Sequence, residues 1–265
     1  MCGPYKEAGE LKVEGLMEEA GNITMDGLAK ETVRTVIRSD GTKETKRSFL
    51  VKEHSLSICI NDEKTIHTVC SDEYLKEMTV GCLFTSGFIS GKEEIKEILF
   101  DDSRENVNVV LQGKREGVVK KDFKDSKDKE TDFNKIPESE WKTEWIFEAA
   151  KYFSKGMPVH NTTLGTHACI LAHGEEILFT CEDFGRRNTV LKAIGYAILN
   201  GINLSECFLF ISGRVLADMM YHVIHAGIPL LASKAVPTAD AVSLAKEYGV
   251  TLIVKAYPDQ IEICE

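Results

Sequence analysis

Residues 181–214 read CEDFGRRNTVLKAIGYAILNGINLSECFLFISGR, and this stretch decides the fold because it twice sets polar, anion-binding groups where a strand hands over to a helix. Ile177–Cys181 is predicted as a strand, Glu182–Asn188 as a turn, and Thr189–Asn200 as a helix with Val190, Leu191, Ile194, Ala197 and Ile198 on one face. Lys192 falls away from that apolar stripe, and Gly201 ends the helix. Cys207–Ile211 is an apolar run too short for a helix. It is followed by Ser212-Gly213-Arg214 and a second helical pattern through Met219, Met220, Val223 and Ile224 to Gly227. The first N–H groups of a helix lack partners and carry the positive end of its dipole, so a phosphate suits both junctions.

Outward from this stretch the same alternation continues. Strands are expected at His167–Ala172, Pro229–Ser233 and Thr251–Val254, with a helix over Thr238–Tyr248. The strand–helix–strand order calls for parallel pairing, while the short His167–Cys181 hairpin supplies an antiparallel pair, so the fold class is α/β with a mixed sheet. Ligands of such sheets sit outside the carboxyl ends of the strands, and the junctions at Glu182–Asn188, Ser212–Arg214 and Ser233–Thr238 can line one crevice.

The front of the chain is β-rich. Two runs between Glu31 and Val51 flank Ser39-Asp40-Gly41-Thr42, and Ser55–Ile60 with Thr65–Cys70 form a second hairpin around Asn61-Asp62-Glu63. Ser71 or Asp72 is placed to cap a helix through Leu75, Met78, Cys82 and Leu83, and Asn106–Gln112 reads as another strand. Lys120–Lys135 mixes charges of both signs with little apolar content and reads as a solvated loop. Trp141–Phe153 resumes as a helix. The expected organisation is an N-terminal tail over 1–30, a smaller β-rich α+β domain over 31–119, a charged loop over 120–140 and an α/β binding domain over 141–265.

The chain has 265 residues, 43% hydrophobic, enough for a full core. Its apolar runs are far shorter than the ~18 residues of a membrane span, and MCGPYKEAGE lacks the features of a secretory signal, so a cytoplasmic protein with no membrane contact is expected. Its eight cysteines are scattered, mostly within apolar runs, and read as reduced. A formal charge of −10 argues against broad nucleic-acid binding, whereas a nucleotide-sized anion needs only a local cluster.

Individual residues bear two readings. Alternation puts His167 and Cys169 on one face, either as pocket groups or as ordinary strand residues. Glu182, Asp183, Arg186 and Arg187 around Gly185 form either a binding turn or a solvated ion-paired one, and Asp183 and Asn188 can instead hold the turn and cap the helix. Arg214 follows Ser212-Gly213 where a planar guanidinium can reach a phosphate or a partner subunit. Zinc deaminase chemistry needs a His or Cys followed by a catalytic Glu and then Cys-x-x-Cys, and neither piece exists here. No metal ligand set and no catalytic residue stand out.

From about Glu53 onward the chain resembles the FdhD family of formate dehydrogenase accessory sulfurtransferases. The resemblance rests on Gly165-Thr166-His167-Ala168, Glu182-Asp183-Phe184-Gly185-Arg186-Arg187-Asn188, Ser212-Gly213-Arg214, Ala226-Gly227-Ile228-Pro229 and Ala235-Val236-Pro237-Thr238, together with Glu53-His54-Ser55-Leu56-Ser57-Ile58. It implies a cytidine-deaminase-like α/β domain, a homodimer, and binding of the molybdenum bis(molybdopterin guanine dinucleotide) cofactor or a guanine nucleotide. It also implies formate dehydrogenase as client and a cysteine desulfurase as sulfur donor. The implied ligand contacts are His167, Glu182, Asp183, Gly185, Arg186, Arg187, Asn188, Ser212, Gly213, Arg214 and Thr238, with Lys255 and Tyr257 where the family favours an aromatic followed by arginines. The family's sulfur-carrying Cys-x-x-Cys is absent from this sequence. Persulfide relay needs an accessible thiolate, so the expected role is binding without the usual relay. The alternatives are a sulfurtransferase using Cys2 or Cys169, and a guanine-nucleotide-binding regulatory module.

Overall fold

The computed structural model describes residues 25–62, 64–112 and 133–265. After the short α1 (Met25–Leu28), β1 (Ala29–Ile37) and β2 (Lys43–Val51) pair antiparallel as a two-stranded ribbon. Gly41, at φ 83°, makes the expected turn. β3 (His54–Ile60) and β4 (Lys64–Cys70) form the second hairpin. They share a four-stranded sheet, order β4-β3-β6-β5, with β5 (Ile95–Phe100) and β6 (Asn106–Leu111). The pattern reading missed β5, whose IKEILF breaks its apolar run with charges. Against this sheet lies α2 (Leu75–Thr85), where Leu75, Met78 and Leu83 pack on Leu56, Ile58, Val107 and Val109.

The expected capping of α2 by Ser71 or Asp72 is corrected. Tyr74 occupies the cap position at φ 52° with no side-chain cap, because Ser71 is engaged by Asp183 and Asp72 pairs with Arg104 at 3.2 Å.

The C-terminal half contains α3 (Thr143–Ser154), α4 (Pro158–Thr163), β7 (His167–His173), β8 (Glu176–Asp183), α5 (Arg186–Asn200), β9 (Phe208–Ile211), α6 (Ala217–His225), β10 (Leu230–Ser233), α7 (Ala239–Tyr248), β11 (Thr251–Val254) and β12 (Glu262–Ile263). The sheet order is β12-β11-β10-β9-β7-β8, with β9, β10 and β11 parallel and β7, β8 and β12 joined antiparallel. The sheet is mixed, as expected. One face packs on α5, α6 and α7 through Cys169, Leu171, Leu209 and Ile211. The other packs on α3 through Ala168, Ile170, Phe208 and Phe210. Burial on both faces explains why FLFI and the Leu230–Ala232 part of LLAS are unbroken apolar runs.

Two glycines fix how the halves meet. α2 crosses α5 so closely that a Cβ on Gly195 would overlap the Glu77 carbonyl oxygen, and one on Gly81 would overlap that of Leu191. The charged segment is partly corrected. Phe133 contacts Tyr248 and His225, and Ile136 is buried with its N–H donating to the Tyr248 carbonyl (2.8 Å). These two apolar side chains gain more from burial than from solvation; residues 113–132 of the same region lie outside the described residues. Among the described residues no helix is long and apolar enough to cross a membrane.

Candidate functional site

Strand direction gathers the predicted residues along one edge of the large sheet. β7 runs antiparallel to both β8 and β9, so its first residue, His167, lies opposite Asp183 at the end of β8 and near Ser212 just past β9. Ser212 locks this edge: its N–H donates to the Ala168 carbonyl (3.0 Å) and its Oγ accepts the Ala168 N–H (2.9 Å). Next to it, a Cβ on Gly213 would come within 3.2 Å of both Arg186 Cβ and His167 Nδ1, so a larger residue would push these neighbours back by a few tenths of an ångström.

The first junction differs from the sequence reading in a way that sharpens it. β8 continues through Asp183, and α5 starts at Arg186 rather than Thr189. Asp183 Oδ1 accepts the Gly185 N–H (2.8 Å), turning the chain within two residues. Arg186, Arg187 and Asn188 therefore form the first turn of α5, and its cap residue, Gly185, offers no side chain to the free N–H groups. The second junction is also corrected. α6 starts only at Ala217, because Val215 pairs in parallel with Pro237 and continues the ladder past Arg214.

Around the start of α5 opens a cavity of about 490 Å³. His167, Gly185, Arg186, Arg187 and Asn188 line it with Phe184 of the same junction, together with residues the sequence did not single out: Asp218 of α6, and His67, Thr68 and Val69 of β4. No ion pair joins Asp218 to Arg186 or Arg187 among the described residues, so both signs of charge face the cavity separately. Burial, then the neighbouring Arg186 and His160, hold the His167 pKa below its usual value, with Asp183 acting the other way. At neutral pH His167 is thus an uncharged hydrogen-bonding group beside two guanidiniums. A helix start, two arginines and a neutral imidazole can hold a phosphate.

Beneath the cavity lies a charged node that sequence reasoning did not place. Asp183 is fully buried. Its Oδ2 accepts the Ser71 N–H (2.9 Å) and Oγ–H (3.0 Å) and pairs with Lys192 Nζ (2.8 Å), while Oδ1 also accepts from Asn188 Nδ2 (2.9 Å). Lys192, expected on the outer side of α5, is instead fully buried, donating to Ser71 Oγ at 2.7 Å. The apolar stripe of α5 is wider than its spacing suggested because α2 covers a second face. Glu182 is buried as well, accepting the Val159 and His160 N–H groups (2.8 and 2.7 Å) and the Thr166 hydroxyl (2.8 Å), so it caps α4. Glu182 and Asp183 hold the site's framework from below rather than lining the cavity.

Glu73, on the same node, has its pKa pushed up to about 7 by burial, with Glu182, Asp183 and Glu77 adding to the rise and Lys192 opposing it. A folded-state pKa above the unfolded one contributes stability that is present below about pH 4.5 and is lost as pH rises through about 7. Glu73→Gln should therefore raise the thermal midpoint more at about pH 8 than at about pH 5. Equal shifts at both would contradict this assignment.

The remaining predicted residues stand along the same edge outside the cavity lining. Arg214 is exposed beside Gly213. Thr238 is exposed and caps α7 by accepting the Ala241 N–H (3.3 Å). Lys255, at φ 43°, pairs with Glu262 (3.0 Å), and Tyr257 is exposed. Cys169 faces the core rather than the cavity, and burial alone drives its pKa far up, which removes it as an accessible thiolate. Asp218 was the one missed group with a local signal, an acidic side chain in a first helical turn. His67–Val69 had none, since β4 is brought to this edge by distant chain, through the α2–α5 packing and the bond from Asn188 Nδ2 to the Val69 carbonyl (2.8 Å).

Comparison with known proteins places this geometry among relatives. A sequence profile of the FdhD/NarQ family matches residues 51–264. "Sulfur carrier protein FdhD" of Listeria monocytogenes serotype 4b (strain F2365) is 23% identical over 239 residues, covering 84% of this chain and 92% of that one. The protein of the same name from Bacillus subtilis (strain 168) is 26% identical over 219 residues, 77% and 83% of the two chains. That from Methanothermobacter thermautotrophicus is 28% identical over 221 residues, 82% and 89%. The crystal structure of a "putative formate dehydrogenase accessory protein" from Desulfotalea psychrophila superposes with a TM-score of 0.77 at 24% identity, over 90% of this chain and 97% of that one, and shares its fold.

Proposed function

The chain belongs to the FdhD/NarQ family, and from that membership we propose a formate dehydrogenase accessory protein that binds the guanine dinucleotide form of the molybdenum cofactor, or a guanine nucleotide resembling half of it, at the start of α5. The observation that carries this reading is the pairing of Arg186 and Arg187 with an uncapped helix start inside one cavity. The residues fit a phosphate. Gly185 lets Asn188 close against the turn, a Cβ there lying only 2.6 Å from Asn188 Nδ2, and so leaves the start of α5 open to the cavity. Asp218 supplies an acceptor for the N1–H and N2–H donors of a guanine edge. Arg214, Lys255 and Tyr257, along the same edge, would serve the second half of a dinucleotide.

The wider proposal keeps a cytidine-deaminase-like α/β unit over 141–265, a front unit over 31–119, a homodimer, and formate dehydrogenase as client. Native mass spectrometry of protein purified from its own host tests it: a retained pterin dinucleotide is expected, and a protein always recovered without any nucleotide would contradict it.

The family's sulfur relay is not part of the reading. No Cys-x-x-Cys exists in the chain, and burial pushes the thiols of Cys70 and Cys82 up to about 12 and that of Cys169 further. Cys59 and Cys264 are partly exposed, and Cys2 lies outside the described residues. Incubation with a cysteine desulfurase, cysteine and a persulfide trap, followed by peptide mass spectrometry, should find no persulfide on Cys169. A transferable persulfide there, abolished by Cys169→Ala, would restore the sulfurtransferase reading.

A further inference from the structure

Asn188 stands in the first turn of α5, borders the cavity and is only 5% exposed. Its Nδ2 donates to the Val69 carbonyl of β4 (2.8 Å), 119 residues earlier in the chain, and to Asp183 Oδ1 (2.9 Å). Both partners are acceptors, so only the amide nitrogen can face them. That nitrogen carries two N–H donors, and both are spent. The amide oxygen can only accept, as a phosphate oxygen does. The side chain of Asn188 therefore has no donor left for a phosphate at the start of α5.

What it holds instead is the opposite wall. β4 is an edge strand of its sheet, and beyond that edge Asn188 takes the Val69 carbonyl while Asp183 Oδ2 takes the Ser71 N–H (2.9 Å). Two side chains of one junction thus supply the bonds that a neighbouring strand would make. Beside this anchor His67, Thr68 and Val69 line the cavity with the start of α5, and the His67 ring is held through Nδ1 by Ser57 Oγ (3.0 Å). A planar ring and the half-exposed Val69 offer the kind of surface on which a base or sugar packs. At about 490 Å³ the cavity has the size for a whole nucleotide rather than a bare phosphate. We propose that Asn188 is a positioning residue: it fastens β4 to the first turn of α5 and so sets the gap in which the nucleoside part of the ligand lies against His67–Val69, leaving the phosphates to Arg186 and Arg187. The inference rests on the nucleotide site of the proposed function and adds which wall meets the nucleoside and what holds that wall in place.

Titration calorimetry on the full chain tests it with two probes: inorganic pyrophosphate, which reaches only the helix start, and guanosine diphosphate, which reaches both walls. Asn188→Ala and the near-isosteric Asn188→Leu each remove both donors and keep the backbone N–H of the helix start. The turn itself stays pinned by the bond from the Gly185 N–H to Asp183 Oδ1 (2.8 Å), and water can take over the vacated Val69 carbonyl, since Val69 is 45% exposed. In whichever variant its melting curve shows to be folded, guanosine diphosphate should bind about ten-fold more weakly or worse, and pyrophosphate as in the wild type. Equal losses for both probes would make the side chain a phosphate contact, and no loss for either would remove it from the site; each result overturns the assignment and leaves the nucleotide site standing. Loss of fold in both variants would make Asn188 purely structural and overturn the assignment as well. Wild-type protein that binds guanosine diphosphate no more tightly than pyrophosphate would overturn the β4 wall, and wild-type protein that binds neither would overturn the nucleotide site itself.

Discussion

Lys192→Met is expected to destabilise the fold by about 3–5 kcal/mol, the usual consequence of leaving a buried charge without its partner. Asp183 would be that charge. It is fully buried 2.8 Å from Lys192 Nζ, and the Ser71 hydroxyl that bridges them would lose its donor as well. Because the loss comes from the orphaned carboxylate, neutralising it should recover much of the stability. Asp183→Asn on the Lys192→Met background removes the charge and leaves an acceptor for the Ser71 or Gly185 N–H. Urea unfolding of the two single variants and the double variant checks this. Additive losses would mean that the pair contributes no coupling.

Gly195→Ala should cost about 3 kcal/mol, the upper end for overpacking, since the added methyl meets backbone rather than a side chain able to turn aside. The Glu77 carbonyl can retreat only if α2 moves with it. That movement would carry β4 and its His67–Val69 wall away from the start of α5, so nucleotide affinity should fall along with stability. An alanine at an ordinary helical glycine would instead be stabilising by up to about 1 kcal/mol. A rise in the unfolding midpoint would show that the helices do not approach as closely as described.

Much of this molecule was readable from its pattern, for identifiable reasons. Short unbroken apolar runs such as Phe208–Ile211 and Leu230–Ala232, separated by amphipathic stretches, signal strands covered on both sides. The edge carrying His167, Gly185–Asn188 and Ser212–Arg214 followed from strand direction alone. The losses occurred where a residue's environment is made by distant chain. Lys192 looked solvent-facing because α2, more than 100 residues earlier in the chain, covers that side of α5. Asp183 looked like a ligand because nothing local reveals Ser71 and Lys192 around it. Ser71 looked like a helix cap for the same reason. Polar residues at a strand end announce a site without saying which of them face the ligand and which hold the others in place.

If the start of α5, with Arg186 and Arg187, is a nucleotide phosphate site, a guanine nucleotide should bind there and depend on both arginines. Titration calorimetry with guanosine diphosphate tests it most directly, comparing the wild type with an Arg186→Ala, Arg187→Ala double variant whose melting curve shows it to be folded. Each lost charge-assisted contact is worth about 1–3 kcal/mol, so the account predicts wild-type binding and at least a ten-fold weaker double variant. Equal affinity of the two proteins would contradict it.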